Sequence, residues 1–311
     1  MRGRKPVPSS APLPCDWWAA LPTVRGSYRF DVPLAATNWF GVGGPADVLF
    51  KPADTADLAQ FLQGLPEDIP VTILGVGSNL IIRDGGLAGV VIKLGRGFTE
   101  IRVEHEIVEA GAAALDVHVA RVAADHGRDG LAFLSGIPGT IGGALAMNGG
   151  AYGREVKDAL VEAEMVTRRG DVVRVSAAQL HFTYRHAIFP EGAIFTRAWF
   201  ATQAGECTTI HAAMVEINRK RAETQPIRER TGGSTFKNPE GHKAWQLIDA
   251  AGCRGLSIGG AQMSELHCNF MLNTGNATAA DLEALGEEVR ARVLAQSGVA
   301  LEWEIKRIGR N

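Results

Sequence analysis

Between Leu131 and Gly153 the chain reads LAFLSGIPGTIGGALAMNGGAYG, with glycine at 136, 139, 142, 143, 149, 150 and 153. Glycine gives up side-chain packing and costs backbone entropy, so this density marks backbone that must turn sharply or lie against a ligand. A solvent loop is the plainer alternative. Against it, Ile137, Ile141, Ala144, Leu145, Ala146 and Met147 between the glycines are apolar. The stretch therefore reads as a buried, ligand-hugging turn leading into a short helix. Phosphates and flat ring systems are the ligands that make such a demand.

A second glycine loop, Gly75-Val76-Gly77-Ser78-Asn79-Leu80, follows an apolar run at Val71–Leu74. It starts like a dinucleotide fingerprint, but Leu80 stands where the third glycine belongs. Successive backbone N–H groups from Gly77 to Leu80, with the Ser78 hydroxyl and the Asn79 amide, suit pyrophosphate oxygens. No GxxxxGK[ST] occurs, which removes the usual support for nucleotide hydrolysis. Two separate glycine loops suggest one long ligand spanning both, and a dinucleotide has that length.

At 311 residues the chain exceeds the ~100–200 residues usual for one domain. A net charge of −2 gives no electrostatic reason to expect nucleic acid or an anionic membrane as partner, so an anionic ligand must be met by local groups. Cys15, Cys207, Cys253 and Cys268 form no CxxC pair and no metal-finger spacing, which points to free thiols in a reducing compartment, without zinc. The basic start MRGRKPVPSSAPLP carries prolines where a secretory signal needs an apolar region, so residues 1–15 read as a disordered tail. No run approaches the ~18 apolar residues of a membrane span, and a cytoplasmic protein without membrane insertion is the expectation.

The organised chain begins near Asp16 with a short amphipathic helix, DWWAALP. Strands at Ala46–Lys51 and Val71–Leu74 flank a helix at Thr55–Leu65, a β-α-β pattern. Strand GVVIKL follows, then a β-turn-β stretch bracketed by Ile101, Val103, Ile107 and Val108, and a helix from Leu115 to His126. Past the glycine-rich centre, Leu160–Arg168, Asp171–Val175 and Ala193–Thr202 read as strands with a hairpin at Gly170-Asp171. From Thr208 the texture turns helical, with Ile210, Met214 and Ile217 on one stripe, so a boundary is placed near 205. A helix over Ala244–Ala251 stops at Gly252, and one capped by Thr278 has Leu282, Leu285, Val289 and Val293 as its stripe. Leu301–Ile308 reads as a closing strand.

Together, ILGVGSNLI and SGIPGTIGGALAMNGGAYG resemble the FAD-binding domain of vanillyl-alcohol-oxidase-type flavoproteins. With TNWFGVGGPADVLF, YRHAIF, GGSTFKNP and LEWEIKRIG in order, the chain from about Trp17 to Gly309 resembles the UDP-N-acetylenolpyruvoylglucosamine reductases, the MurB family. The resemblance implies an α+β fold: a two-part FAD-binding domain over 16–205 and a smaller α/β substrate-binding domain over 206–311, its last strand returning toward the flavin. It implies non-covalent FAD, NADPH as reductant and a UDP-sugar whose enolpyruvyl ether is reduced to a D-lactyl ether. The alternatives are another flavin oxidase or dehydrogenase on the same fold, and a non-enzymatic nucleotide-binding module.

By the same resemblance the catalytic residues are Arg185, gripping developing negative charge; Ser234, the proton donor; and Glu304, the assisting carboxylate. Strand alternation cannot choose between Glu302 and Glu304, and only the family context prefers the second. Gly75, Gly77, Ser78, Asn79, Leu80, Gly136, Pro138, Gly139, Gly142, Gly143 and Asn148 are expected at the cofactor, and Tyr184, Arg221, Lys237, Asn238 and His267 at the substrate. Arg228 and Arg230 join Arg221 as candidates for the diphosphate, although a charge run is also what a solvated face shows. His267 is open in the same way to a structural role, and Asn269 lies in its segment. The short connection between Arg185 and Ser234 resembles the family type that lacks a tyrosine-bearing lid.

Overall fold

The described residues, 17–311 of a computed structural model, open with a βαβ unit. The tail expected over residues 1–15 lies outside the described residues. β1 (Ser27–Pro33) runs antiparallel to β2 (Pro45–Lys51), and α1 (Thr55–Gly64) carries the chain to β3 (Val71–Ile73). After β4 (Leu80–Ile82), β5 (Leu87–Ile92) enters between β2 and β3, parallel to both. α1 starts where it does because the Asp54 carboxylate accepts from Asp57 N at 2.9 Å. Its Leu58, Phe61 and Leu62 bury against Phe50, Val90 and Ile92, each such side chain contributing ~1.5–3 kcal/mol.

β6 (Ile101–Glu104) and β7 (Ile107–Gly111) form the expected hairpin, with His105 in the left-handed region. They edge an antiparallel sheet that continues through Ile194–Ala201, Leu160–Val166 and Val172–Ser176. α2 (Asp116–Asp125) and the glycine-rich α3 (Ile141–Ala146) lie on it, burying Val119, Ala120, Ile141 and Leu145 with Phe200. α4 (Cys207–Thr224) adds Ile210 and Met214 to this same core. The boundary expected near 205 falls just before α4, whose stripe packs on the preceding unit.

In the last part, α5 (Ala244–Ala250) and α6 (Ala279–Ser297) cover an antiparallel sheet of Thr231–Ser234, Phe270–Asn273, Ala261–Met263 and Ser257–Ile258. The predicted stripe Leu282, Leu285, Val289 and Val293 is buried there, and Phe40, Val42 and Ile81 from the N-terminal unit complete the same core. The closing strand over Leu301–Ile308 is realised only at Lys306–Ile308, which pairs in parallel with β4. Upstream, the backbone bonds elsewhere: Lys237 N donates to Glu302 O, and Glu304 N to Thr235 O at 2.8 Å.

α6 begins with a capping box in which Thr278 Oγ1 accepts from Asp281 N and Asp281 Oδ2 from Thr278 N. Asp84, after β4, adds a cap from a distant segment: its two oxygens accept from Ala279 N at 3.0 Å and Ala280 N at 3.1 Å. One carboxylate thus quiets two helix donors and docks the last domain on the glycine-loop strand. Asp84→Ala should destabilise the protein by ~1 kcal/mol, seen as a lower urea midpoint with an unchanged denaturant slope.

Candidate active site

The two glycine loops meet in space. A Cβ placed on Gly75 would lie 3.0 Å from Thr140 Oγ1, and one on Gly139 would lie 4.0 Å from Ser78 Oγ and 2.8 Å from Asp116 Oδ2. Gly77 has φ +68°, and a Cβ there would lie 2.6 Å from Asn38 Cα, so it cannot carry a side chain. Gly143 faces open space apart from Thr140 Oγ1 at 3.8 Å, and Pro138 is half-buried in the turn just before Gly139. This cradle of small residues, with backbone and hydroxyl donors on both sides, suits a dinucleotide threaded between the loops.

Two other glycines of the run do a different job. At Gly136 a Cβ would crowd Ala151, Ile217 and Tyr152, and at Gly142 it would press on Ala112, whose carbonyl accepts from Gly142 N at 2.8 Å. Both are small so that elements can pack. Leu80 starts β4, pairs with Lys306 and packs under Ile82 and Leu87. It replaces the third glycine because a strand, not a helix, follows the loop.

The catalytic candidates come from three segments. Arg185 sits at the tip of a tight turn in which Thr183 and His186 exchange backbone hydrogen bonds, and it holds φ +56°, a strained value for a side-chain-bearing residue. Its Nε donates to Glu304 Oε1 at 2.9 Å, and its guanidinium lies over the Tyr184 ring. Glu304 is 14% exposed at its side chain, whereas Glu302 is 76% exposed and reaches only Lys237 Nζ, at 3.4 Å. Burial and the Arg185 contact therefore set the two glutamates apart. Burial pushes the Glu304 carboxyl above its ordinary range, against the pull of Arg185 and Lys237.

Ser234 is brought to the same place by a bulge. Thr231 pairs with Leu272 and Ser234 with Phe270, so one extra residue sits on this strand. Gly233 takes it up at φ +78°, while a Cβ on Gly232 would lie 2.3 Å from the Phe40 ring, which explains the GGS spelling. Asn269 is buried and braces the segment, accepting from Phe236 N at 3.0 Å and donating to Phe236 O at 2.8 Å.

Residues 225–308 match the family model described as the C-terminal domain of UDP-N-acetylenolpyruvoylglucosamine reductase, and residues 46–176 match an FAD binding domain. The reductase of that name from Parvibaculum lavamentivorans is 62% identical over 93% of each chain, and that of Acidiphilium cryptum 58% identical over 96% of this chain and 97% of its own. The chain belongs to the UDP-N-acetylenolpyruvoylglucosamine reductase family. The crystal structure of the Thermus caldophilus reductase superposes with a TM-score of 0.79 at 33% identity, over 92% of this chain and 99% of that one. At 12% identity, 6-hydroxy-D-nicotine oxidase from Arthrobacter nicotinovorans shares the fold alone, with a TM-score of 0.56 over 90% of this chain and 88% of its own.

Several residues expected at ligands in a family reductase are engaged by the protein itself. Asn79 donates its amide to Glu304 O at 3.2 Å, so it ties the glycine loop to the carboxylate segment. Asn148, fully buried at φ +41°, donates to Glu155 and to Thr183 O and accepts from Lys157 N. It holds the Arg185 turn through Thr183 O. Asn238 Oδ1 accepts from Ala244 N at the start of α5. His267 stands edge-on to Trp245 and Phe270, its Nδ1 accepts from Asn269 N, and burial lowers its pKa, a packed neutral ring.

The remaining substrate candidates keep free reach. Tyr184 is 45% exposed beside Arg185, and half-buried Arg221 lies near Tyr152 with Nε donating to Gln225. Arg228 lines an open cleft with Pro226, Gln262, Ser264 and Leu266, while Arg230 lies along Gly41. The sequence reading passed over Thr140, Asn38 and Asp116. The first two were visible only as polar residues beside glycine loops.

Because the folded pKa of Glu304 is raised, the native state binds this proton more tightly than the unfolded chain does. Its contribution to stability is complete below the ordinary glutamate pKa and is lost as pH rises through the raised one. Glu304→Gln should flatten that decline, read from denaturant midpoints between mildly acidic and neutral pH.

Proposed function

We propose that this chain reduces the enolpyruvyl ether of UDP-N-acetylglucosamine-enolpyruvate to UDP-N-acetylmuramate, in the cytoplasm, with NADPH as electron source. The observation that carries the reading is the convergence of Arg185, Glu304 and the Ser234 bulge beside two facing glycine loops. The loops are the place for FAD, held through the backbone at Gly75, Gly77 and Gly139 and the hydroxyls of Ser78 and Thr140. When bound, FAD accepts hydride from NADPH and delivers it to the terminal vinyl carbon of the substrate.

Hydride at that carbon leaves the electron pair on the neighbouring carbon, delocalised into the substrate carboxylate. Arg185 meets the developing charge with paired N–H donors, which gain strength where water is excluded. Glu304, deeply buried against Arg185, fixes the guanidinium and shares the proton load. Ser234 supplies the proton that completes the D-lactyl ether, and the positive charge of Lys237 favours the alkoxide left behind. Tyr184, Arg221 and Arg228 are the groups with the reach and charge to hold the UDP portion.

Purified protein should be yellow, and acid precipitation should release FAD. Gly139→Val should lose the colour, because the added side chain enters the space between Asp116 and Ser78. A colourless wild type that cannot be reconstituted would refute the cofactor assignment.

Ser234 separates the half-reactions. Hydride transfer from NADPH needs no proton from a serine, so Ser234→Ala should bleach at a near-normal rate in stopped flow. Reoxidation by the UDP-sugar should slow by ~10²–10⁴-fold, with Ser234→Cys recovering part of the loss because a thiol is the stronger acid. Equal slowing of both steps would make Ser234 a positioning residue instead.

A further inference from the structure

Asp57 and Asp116 both lie in the first turns of helices, and both are wholly buried. Asp57 is satisfied, accepting from Arg25 N, Gly26 N and Ala53 N at 2.7–2.9 Å. Asp116 is not: neither carboxyl oxygen has a hydrogen-bond partner. A buried polar group left unmatched is costly and rare, and one beside a ligand cradle marks where the ligand belongs. The backbone around it is fixed, since Asp116 N donates to Gly139 O at 3.1 Å. Its Oδ2 lies 2.8 Å from where a Gly139 side chain would start, and Ser78 Oγ of the facing loop is 4.0 Å from that same point. The carboxyl therefore lies against Gly139 where a side chain would start, in a space that the Ser78 hydroxyl of the facing loop also borders.

Burial alone pushes the Asp116 pKa well above the carboxylate range. In the two glycine loops the one titratable side chain is Tyr152, exposed near the end of the second, and the nearest on α2, His118 and Arg121, are exposed too. A neutral carboxylic acid has one proton to donate, and of the groups on a flavin dinucleotide the diphosphate is the strongest acceptor. We propose that Asp116 is a cofactor-binding residue that donates a hydrogen bond to a diphosphate oxygen of FAD where the two glycine loops meet. The proposal rests on FAD being the dinucleotide held there.

The test strips FAD from the purified enzyme and follows its rebinding by quenching of flavin fluorescence. Asp116→Asn, which keeps the shape and an N–H donor, should bind within about 3-fold of wild type. Asp116→Ala should bind about 10-fold or more weakly. Wild-type affinity should fall as pH rises through the raised pKa, while Asp116→Asn stays flat. The melting temperature of the Asp116→Asn apoprotein should not drop, because the group has no partner until FAD arrives; a drop would assign the residue a structural role and overturn the proposal. Wild-type affinity in Asp116→Ala would overturn it too, as would affinity rising with pH, the mark of an ionised acceptor meeting a sugar hydroxyl. A wild-type apoprotein unable to take up FAD would overturn the reading of the loops, and this proposal with it.

Discussion

A carboxylate buried as deeply as that of Glu304 must be matched where it sits, and its matching draws the molecule together. The side chain takes Arg185 from the second sheet, its backbone N–H bonds to Thr235 O in the last domain, and its carbonyl accepts from Asn79 in the first glycine loop. Three segments converge on one residue. Removing a partner from a buried charge leaves the other uncompensated, so this node resists local loosening more than its few bonds suggest. The pairing of Lys306–Ile308 with β4 and the Asp84 cap on α6 extend the same tie along the chain.

Two of the backbone irregularities sit beside the chemistry. Arg185 is left-handed without being glycine, and Ser234 follows a bulge. Such features persist only where surroundings over-determine them, and here buried asparagines do so. Asn148 holds the turn carrying Arg185 through Thr183 O, and Asn269 bonds both backbone groups of Phe236 next to the bulge. An amide that donates and accepts at once is suited to bracing irregular backbone that no sheet ladder can satisfy.

Much of this was legible in the sequence and some was not, for identifiable reasons. Periodic elements such as α1 and α6 read clearly because one apolar stripe and a local cap fix them. A domain boundary is harder to read, since a stripe says that a helix buries a face without saying on which neighbour. Glu302 and Glu304 were inseparable by alternation because the segment was taken as a regular strand, while its backbone bonds in fact go to a loop. For Asn79, Asn148 and Asn238 the sequence leaves the partner open for a related reason: a side-chain amide looks the same whether it meets a phosphate or a peptide.

Glycine density carries the same ambiguity one level lower. In Leu131–Gly153 and the loop before β4, a glycine can be required by backbone conformation, by a neighbour's approach or by a ligand, and composition merges the three. The contacts separate them. Gly77 combines a positive φ with pressure from Asn38, Gly136 and Gly142 admit packing partners, and Gly143 faces almost nothing. Gly139 differs from all of these. What a side chain there would strike first is an unmatched carboxyl, with the facing loop's hydroxyl just beyond. A packing glycine is explained by what fills the space beside it, whereas the space beside Gly139 is bordered by polar groups that no protein atom satisfies. Of all the glycines in the run, it is therefore the one whose missing side chain is bordered by an unmatched carboxyl.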